Sequence, residues 1–210
     1  MKTAVKSSKK LKFIEIALLV GLAVFLASGT LALQTQNALA DKVVRLHVLA
    51  NSDSDEDQAL KLQVRDAVLE RATELLEQST SRREAEGLLR GQLLELEHLA
   101  GEVIAANGYD YPVAVELTDT EFPTKEYDGF TLPAGRYLSL RVLIGEAAGQ
   151  NWWCVVFPPL CTAASADVPA SALAAGFSEE EIGLITEENE GYVLKFKAVE
   201  FWEELQRKWN

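Results

Sequence analysis

The sequence is poor in the residues from which metal sites and nucleophilic sites are usually built. Its 210 residues include two cysteines, two histidines and one methionine. A zinc site needs roughly three or four converging ligands, so it would have to draw on Cys154, Cys161, His47 and His98. A glycine-rich phosphate loop, a nucleophile elbow and an HExxH motif are also missing from the sequence. Binding is therefore a better prediction than catalysis, and no cofactor is expected.

Basic charge is scarce as well. The chain has 32 acidic residues against 20 Lys and Arg, which gives a net charge of -12. Residues 1–40 contain five lysines and one glutamate, so the remainder carries -16. Nucleic acids and anionic lipids attract clustered Lys and Arg. The composition therefore argues against nucleic acid as a partner and against membrane contact outside the N-terminal segment.

The first 40 residues have the pattern of an export segment. Lysines precede an apolar run over residues 16–33, and the triplet Ala38-Leu39-Ala40 precedes Asp41. This order is typical of a secretory signal peptide, so residues 41–210 are predicted to form a single extracytoplasmic domain. The run is nearly long enough to span a bilayer. A membrane anchor over residues 14–33 is therefore the alternative to cleavage after Ala40.

Hydrophobic periodicity predicts the elements of this domain. Alternating apolar residues over 43–50 predict a strand, and spacing of three and four predicts two long helices that begin at Ser54 and Ser81. Later strands are expected at residues 113–118, 136–144, 152–157 and 192–197, with a last helix at 198–209. The run 152–157 is wholly apolar, which favours an inner strand. We predict an α+β fold, with a mostly antiparallel or mixed sheet of four to five strands and a long helix hairpin packed on one face.

Two longer segments connect the predicted elements. Residues 119–132 are polar and long for a hairpin connection, which is consistent either with a recognition loop or with a solvated hairpin end. Residues 162–190 are rich in alanine, serine and acids, and are expected to be less ordered apart from a short helix capped by Ser178.

The acids after the first strand invite comparison with a calcium loop. Asp53, Asp55 and Asp57 have the right spacing, but Gln58 and Val64 stand where that loop needs glycine and a bidentate glutamate. Helix capping by these acids is the better interpretation.

The cysteines and tryptophans leave several alternatives open. Two cysteines in an exported chain predict either a disulfide between Cys154 and Cys161 or two buried thiols. Trp152 and Trp153 are neighbours on a strand and must point to opposite faces. Core packing of both is favoured, and the alternative is an exposed tryptophan that anchors an interface.

Two stretches of the sequence resemble the stage II sporulation protein R family. They are VRLHVLANSDS at residues 44–54, together with the DQALK and VRD that follow it, and NWWCVVFPPLC at residues 151–161. The resemblance implies a signalling protein rather than an enzyme, exported from the forespore into the intermembrane space of a sporulating bacterium. There it would activate a membrane-embedded aspartic protease of the mother cell, stage II sporulation protein GA, which processes pro-sigma-E.

The contact surface for such a partner is expected in the loops and strand ends of these stretches. The candidate partner-binding residues are Asn51, Asp53, Asn151, Trp152 and Trp153. The alternative function is a secreted cell-envelope hydrolase that uses Cys154 as nucleophile and His47 as base. It is disfavoured because an apolar strand in an acidic protein would raise the pKa of a thiol.

Overall fold

The computed structural model describes residues 2–160 and 168–186. Residues 37–190 form one compact unit, and the residues before 37 belong to another. The described elements are α1 (Lys2–Ala40), β1 (Val44–Leu49), α2 (Asp55–Leu76), α3 (Arg82–Ala106), β2 (Val113–Phe122), β3 (Lys125–Tyr127), β4 (Phe130–Leu132), β5 (Gly135–Ile144), β6 (Asn151–Phe157), α4 (Val168–Ala174) and α5 (Glu179–Ile185). Cys161, the strand predicted at 192–197 and the helix predicted at 198–209 lie outside the described residues.

Helix α1 includes the predicted export segment. The large apolar side chains described between Phe13 and Val24 are exposed, Phe13 by 73% and Leu18 by 69%. None of the helices in the described part of the chain combines the length and the hydrophobicity of a membrane-crossing segment.

Four strands form a mixed sheet in the order β2-β5-β1-β6. Strand β1 pairs in parallel with β5 and antiparallel with β6, and β2 pairs antiparallel with β5. The prediction of an α+β fold with a mixed sheet is confirmed. Strand β6 was expected to be an inner strand, yet over the described residues it stands at an end of the sheet. Residues 154–157 of this strand are buried on both faces of the sheet, which explains their apolar character without a paired strand along each edge.

One face of the sheet packs with α2 and α3 in the first core. Both helices begin as predicted, since the hydroxyl oxygens of Ser54 and Ser81 accept the amide hydrogens of Asp57 and Glu84. An ion pair of 2.7 Å between Arg71 and Glu95 links the two helices. The buried residues of the first core come from α2, α3 and alternate positions of the strands: Val44, Leu46, Val48, Leu60, Val64, Val68, Ala72, Leu76, Ala85, Leu89, Leu96, Ala100, Ile104, Val115, Leu117, Leu138, Leu140, Val142, Ile144, Cys154, Val156 and Phe157.

The other face of the sheet carries a second core, covered in part by the hairpin of β3 and β4. Strand β2 runs on to Phe122 and the hairpin follows at once, so most of residues 119–132 are in strands, where a polar connecting tip was expected. The side chains of Phe122, Phe130 and Leu132 in this segment are buried, although most of the other residues of the segment are polar. The buried residues of the second core are Leu39, Ala40, Val43, Phe122, Phe130, Leu132, Tyr137, Val155, Leu160, Val168, Ala172, Phe177 and Ile185.

Two short helices occupy the described part of the segment predicted to be less ordered. Helix α4 contributes Val168 and Ala172 to the second core, and α5 contributes Ile185. The predicted cap of α5 is confirmed, because Ser178 and Glu181 form a reciprocal capping box.

The turn between β5 and β6 depends on a glycine that approaches another loop. The amide of Gly149 donates to the carbonyl oxygen of Ala50 at 3.0 Å, and a Cβ at Gly149 would overlap the backbone of Ser52. We expect Gly149→Ala to lower the free energy of unfolding by about 1–3 kcal/mol, since the backbone must shift to relieve the overlap. Urea denaturation measures this change.

Gly87→Ala is the matched control. Gly87 lies inside α3 with open space where a Cβ would project. In that position alanine should leave stability unchanged or raise it by up to about 1 kcal/mol, because alanine is the better helix former. Equal destabilisation by the two changes would contradict the argument from close approach.

Candidate functional site

The loop between β1 and α2 is built around the carboxylate of Asp57. This carboxylate accepts hydrogen bonds from the Asn51 side-chain amide at 2.8 Å and from the Ser52 hydroxyl at 2.6 Å. Helix capping was the role expected of Asp57, but its carboxylate instead binds side chains of the residues that precede the helix. The hydrogen bond from Ser52 is the largest cause that holds the pKa of Asp57 below its ordinary value of 3.8, and burial acts in the opposite direction.

Asn51 also fixes the neighbouring turn. Its side-chain oxygen accepts the amide hydrogen of Glu146 at 3.0 Å, and its carbonyl oxygen accepts that of Ala148 at 3.2 Å. Gly145 lies against the same side chain with φ of 58°. Asn51, a predicted partner-binding residue, is thus engaged within the fold, whereas Asp53 is exposed.

Lys61 extends this network along α2. Its ammonium group donates to the side-chain oxygen of Gln58 at 2.5 Å and to the carbonyl oxygen of Gln150 at 3.1 Å. Burial lowers the pKa of Lys61 below its ordinary value of 10.5, and the charge of Arg65 lowers it further. The sequence stretch from Asn51 to Lys61 therefore fixes the loop of Gly149 and Gln150 that leads into β6.

A row of four polar or aromatic residues crosses the second face of the sheet, one from each strand. The strand register aligns Glu116 with Arg141, Arg141 with His47, and His47 with Trp153. Arg141 donates to the Glu116 carboxylate at 2.5 Å. The imidazole of His47 stacks on Trp153 with ring centroids 5.9 Å apart, and its Nε2 lies 2.7 Å from the side-chain oxygen of Asn151. We call these four residues the transverse row.

Burial sets the charge state of His47 in this row. The residue is 7% exposed. Burial lowers its pKa below the ordinary value of 6.5, and the charges of Arg141 and Arg45 lower it further, against the hydrogen bond with Asn151, which raises it. At neutral pH the imidazole is therefore uncharged.

Arg45 is fully buried next to the transverse row. Its guanidinium lies 4.0 Å from the ring centroid of Phe122, 4.9 Å from that of Tyr137 and 5.9 Å from that of Tyr127. It also donates a hydrogen bond to the hydroxyl of Tyr127. Within the described residues no carboxylate pairs with it. Aromatic rings thus stabilise a charge that would ordinarily need an acidic partner.

The two tryptophans mark the exposed end of β6. Trp152 is 38% exposed and Trp153 is half-buried, so the expectation that both pack in the core is wrong. A cation lies over each ring, Arg65 at 4.2 Å from Trp152 and Lys125 at 4.3 Å from Trp153. With the exposed Asn151 they form a polar and aromatic surface, which we call the β6 end surface.

The proposed hydrolase pair is separated by the sheet. Cys154 is aligned with Leu46 and is buried in the first core, whereas His47 projects from the opposite face. The predicted disulfide stays a prediction, because Cys161 lies outside the described residues. His98 is exposed on α3 beside Glu102, and the described residues contain no group of three metal-ligating side chains.

Comparison with known proteins identifies the class of the chain. The family model for stage II sporulation protein R matches residues 40–167, which include α2, α3 and all six strands described here, so the chain belongs to this family. It is 40% identical over 147 residues to stage II sporulation protein R of Bacillus subtilis strain 168, an alignment that covers 69% of this chain and 66% of that protein. The chain thus spans slightly less than two thirds of the relative's length. No solved structure matches it. Membership of this family confirms the resemblance that was seen in the sequence, and it supports a role in sporulation.

Several residues of this site were not predicted from the sequence, among them the arginines and the tyrosine of the second face. Arg45, Tyr127 and Arg141 were not candidates, because a lone arginine in an alternating strand and a tyrosine in a polar segment are common at surfaces. One signal in the sequence could have indicated the buried arginine. Arg45 lies between apolar residues in β1, a strand whose two faces are both buried.

Removal of the Asp57 carboxylate tests the loop network. We expect Asp57→Ala to lower the free energy of unfolding at pH 7 by about 1–3 kcal/mol, since two donors lose a charged acceptor. The folded-state pKa lies below 3.8. The stabilisation is therefore complete above that pH and lost as the pH falls through the folded-state pKa, so the difference between wild type and variant should narrow in acid.

Asp66→Ala is the control for Asp57→Ala. Asp66 lies on the same helix with its side chain 63% exposed, and it pairs with Arg65 at the surface. Its loss should cost about 0.5 kcal/mol or less. A similar effect of both substitutions in urea denaturation at pH 7 would show that Asp57 does not organise the loop.

A double-mutant cycle tests the environment of Arg45. Tyr127→Phe removes the hydroxyl that accepts from the guanidinium, and should lower the free energy of unfolding by about 1–3 kcal/mol. In an Arg45→Met background the same change should cost much less, since no buried charge then needs the hydroxyl. Equal costs in the two backgrounds, measured by chemical denaturation, would mean that the hydroxyl does not stabilise Arg45.

Proposed function

We propose that this protein is an exported signal that activates the membrane-embedded aspartic protease responsible for processing pro-sigma-E, stage II sporulation protein GA. The observation that carries the proposal is membership of the stage II sporulation protein R family over residues 40–167. Export from the forespore into the intermembrane space is part of the proposal. The lysine-rich start, the apolar run and the triplet before Asp41 support it.

The proposed activity requires binding rather than bond-making by this chain. The separation of Cys154 from His47 across the sheet supports that choice over a cysteine hydrolase. The negative charge of the region after residue 40 also disfavours attachment to anionic lipid. In this proposal the protease supplies the catalytic groups, and this protein supplies a folded surface.

The β6 end surface is the contact region that we propose. Tryptophan and arginine are the residue types that dominate the binding energy of protein interfaces, and here Arg65 lies on the exposed ring of Trp152. The surface is held in place from behind, because Lys61 and Asn51 fix the preceding turn. A preformed contact loses less entropy on binding. A ligand activates an enzyme only by binding its active state more tightly than its inactive state.

Co-expression in a bacterium that does not sporulate tests the proposal. The host would produce the protease and its sigma precursor with or without the full chain. We expect the chain to increase precursor cleavage, measured by immunoblot. Trp152→Ala should reduce that increase about tenfold, since loss of one interface anchor costs about 1–2 kcal/mol.

Leu94→Ala is the matched control, because Leu94 is an apolar side chain on α3 that is 81% exposed and remote from β6 in sequence. It should leave processing unchanged at equal protein abundance. If the wild-type chain gave no cleavage beyond that of the protease alone, activation would be refuted. If Trp152→Ala behaved like Leu94→Ala, the contact region would lie elsewhere.

A further inference from the structure

The last turn of α1 is part of the folded domain. The compact unit starts at Asn37. Leu39 is fully buried and Ala40 is 8% exposed, and both belong with Val43 to the second core. The triplet Ala38-Leu39-Ala40, which the sequence predicts as a cleavage site, therefore supplies core residues to the domain that would remain after cleavage.

The backbone that follows this triplet is joined to it by hydrogen bonds. The amide of Asp41 donates to the carbonyl oxygen of Asn37 at 2.9 Å, and the amide of Lys42 donates to that of Leu39 at 3.1 Å. Both acceptors lie before the bond between Ala40 and Asp41. Cleavage of that bond would remove the two acceptors from the domain, and it would leave a cavity where the side chain of Leu39 fills the core.

Lys42 fixes the other side of this bond to the segment around α5. Its ammonium group donates to the carboxylate of Glu181 at 2.6 Å and to the carbonyl oxygen of Gly176 at 2.9 Å, and it lies 5.5 Å from the ring centroid of Phe177. Proteases cut segments that are exposed or that open locally. In the folded domain the bond between residues 40 and 41 is held from both sides, so a peptidase reaches it only before folding.

The sequence offers another site upstream for a peptidase that acts on the unfolded chain. The apolar segment of a signal peptide has about 7–15 residues, and the residues first and third before the cut are small. The apolar run over residues 16–26 has that length, and Ala27-Ser28-Gly29 follows it directly. The triplet that ends at Ala40 comes only after the polar residues 34–37. The pattern of a leader is therefore already complete at Gly29.

We propose that a leader peptidase cuts this chain after Gly29, so that the exported protein begins at Thr30 and keeps the last turn of α1. Water hydrolyses the peptide bond between these two residues, which leaves the new carboxylate on the leader and a free amino group on Thr30. Residues 30–40 are then an N-terminal extension of the exported protein, and Leu39 and Ala40 complete its second core. The inference rests on export, which is part of the proposed function, and not on activation of the protease.

Intact mass and N-terminal sequencing of the exported product identify the cut. The full chain is expressed in a bacterium that does not sporulate, and the product is purified from outside the cytoplasm. The expected N-terminus is Thr30. An exported product that begins at Asp41, or one that still carries residues 2–29, would overturn the proposal and leave export standing. Retention of the whole chain in the cytoplasm would refute export and this cut together.

Two matched substitutions on α1 test which triplet the peptidase reads. Ala27→Leu and Ala38→Leu each place a large side chain third before a cut, the first for the cut after Gly29 and the second for a cut after Ala40. Both alanines are exposed, so neither change disturbs a core. We expect Ala27→Leu to abolish the processed product and Ala38→Leu to leave its amount unchanged. The reverse result, or equal effects of the two changes, would contradict the proposal.

Leu39→Ala gives an independent readout on the exported product. After a cut at Gly29 the product carries the substitution, and its melting temperature should fall by about 5–15 °C because a buried leucine is lost. Leu173→Ala is the control, since Leu173 is 58% exposed on α4 and its loss should change the melting temperature by about 2 °C or less. A cut after Ala40 would discard residue 39. The Leu39→Ala product would then melt at the wild-type temperature, and the proposal would be wrong.

Discussion

Burial of the Arg45 guanidinium is the constraint on which the cover over the second face of the sheet depends. A guanidinium stays charged at any pH that a protein experiences, so a strand that places it inside the protein must surround it with groups that stabilise the charge. Here they are the rings of Phe122, Tyr127 and Tyr137. Phe122 ends β2 and Tyr127 lies in β3, so the chain must turn back over the sheet there. The β3–β4 hairpin is thus the cover that Arg45 requires.

The family stretch around Asn51 has a structural explanation. Polar residues in a loop after a strand would ordinarily suggest a binding surface, yet Asn51, Ser52 and Asp57 bind one another and the turn before β6. The stretch joins the end of β1 to the start of α2 and orients the loop that carries Gly149. Its effect on the proposed contact region is indirect, because it sets where Asn151 and Trp152 emerge from the sheet.

Much of the first core could be predicted from the sequence, because side-chain alternation and helix capping are local properties of the chain. The alternation of Val44, Leu46 and Val48 gave the strand, and Ser54 and Ser81 gave the helix starts. The order of strands could not be predicted, since β1 pairs with β5 across about 90 residues of intervening chain. The hairpin was missed because its short strands are mostly polar. The transverse row was missed because it exists only once four distant segments are in register.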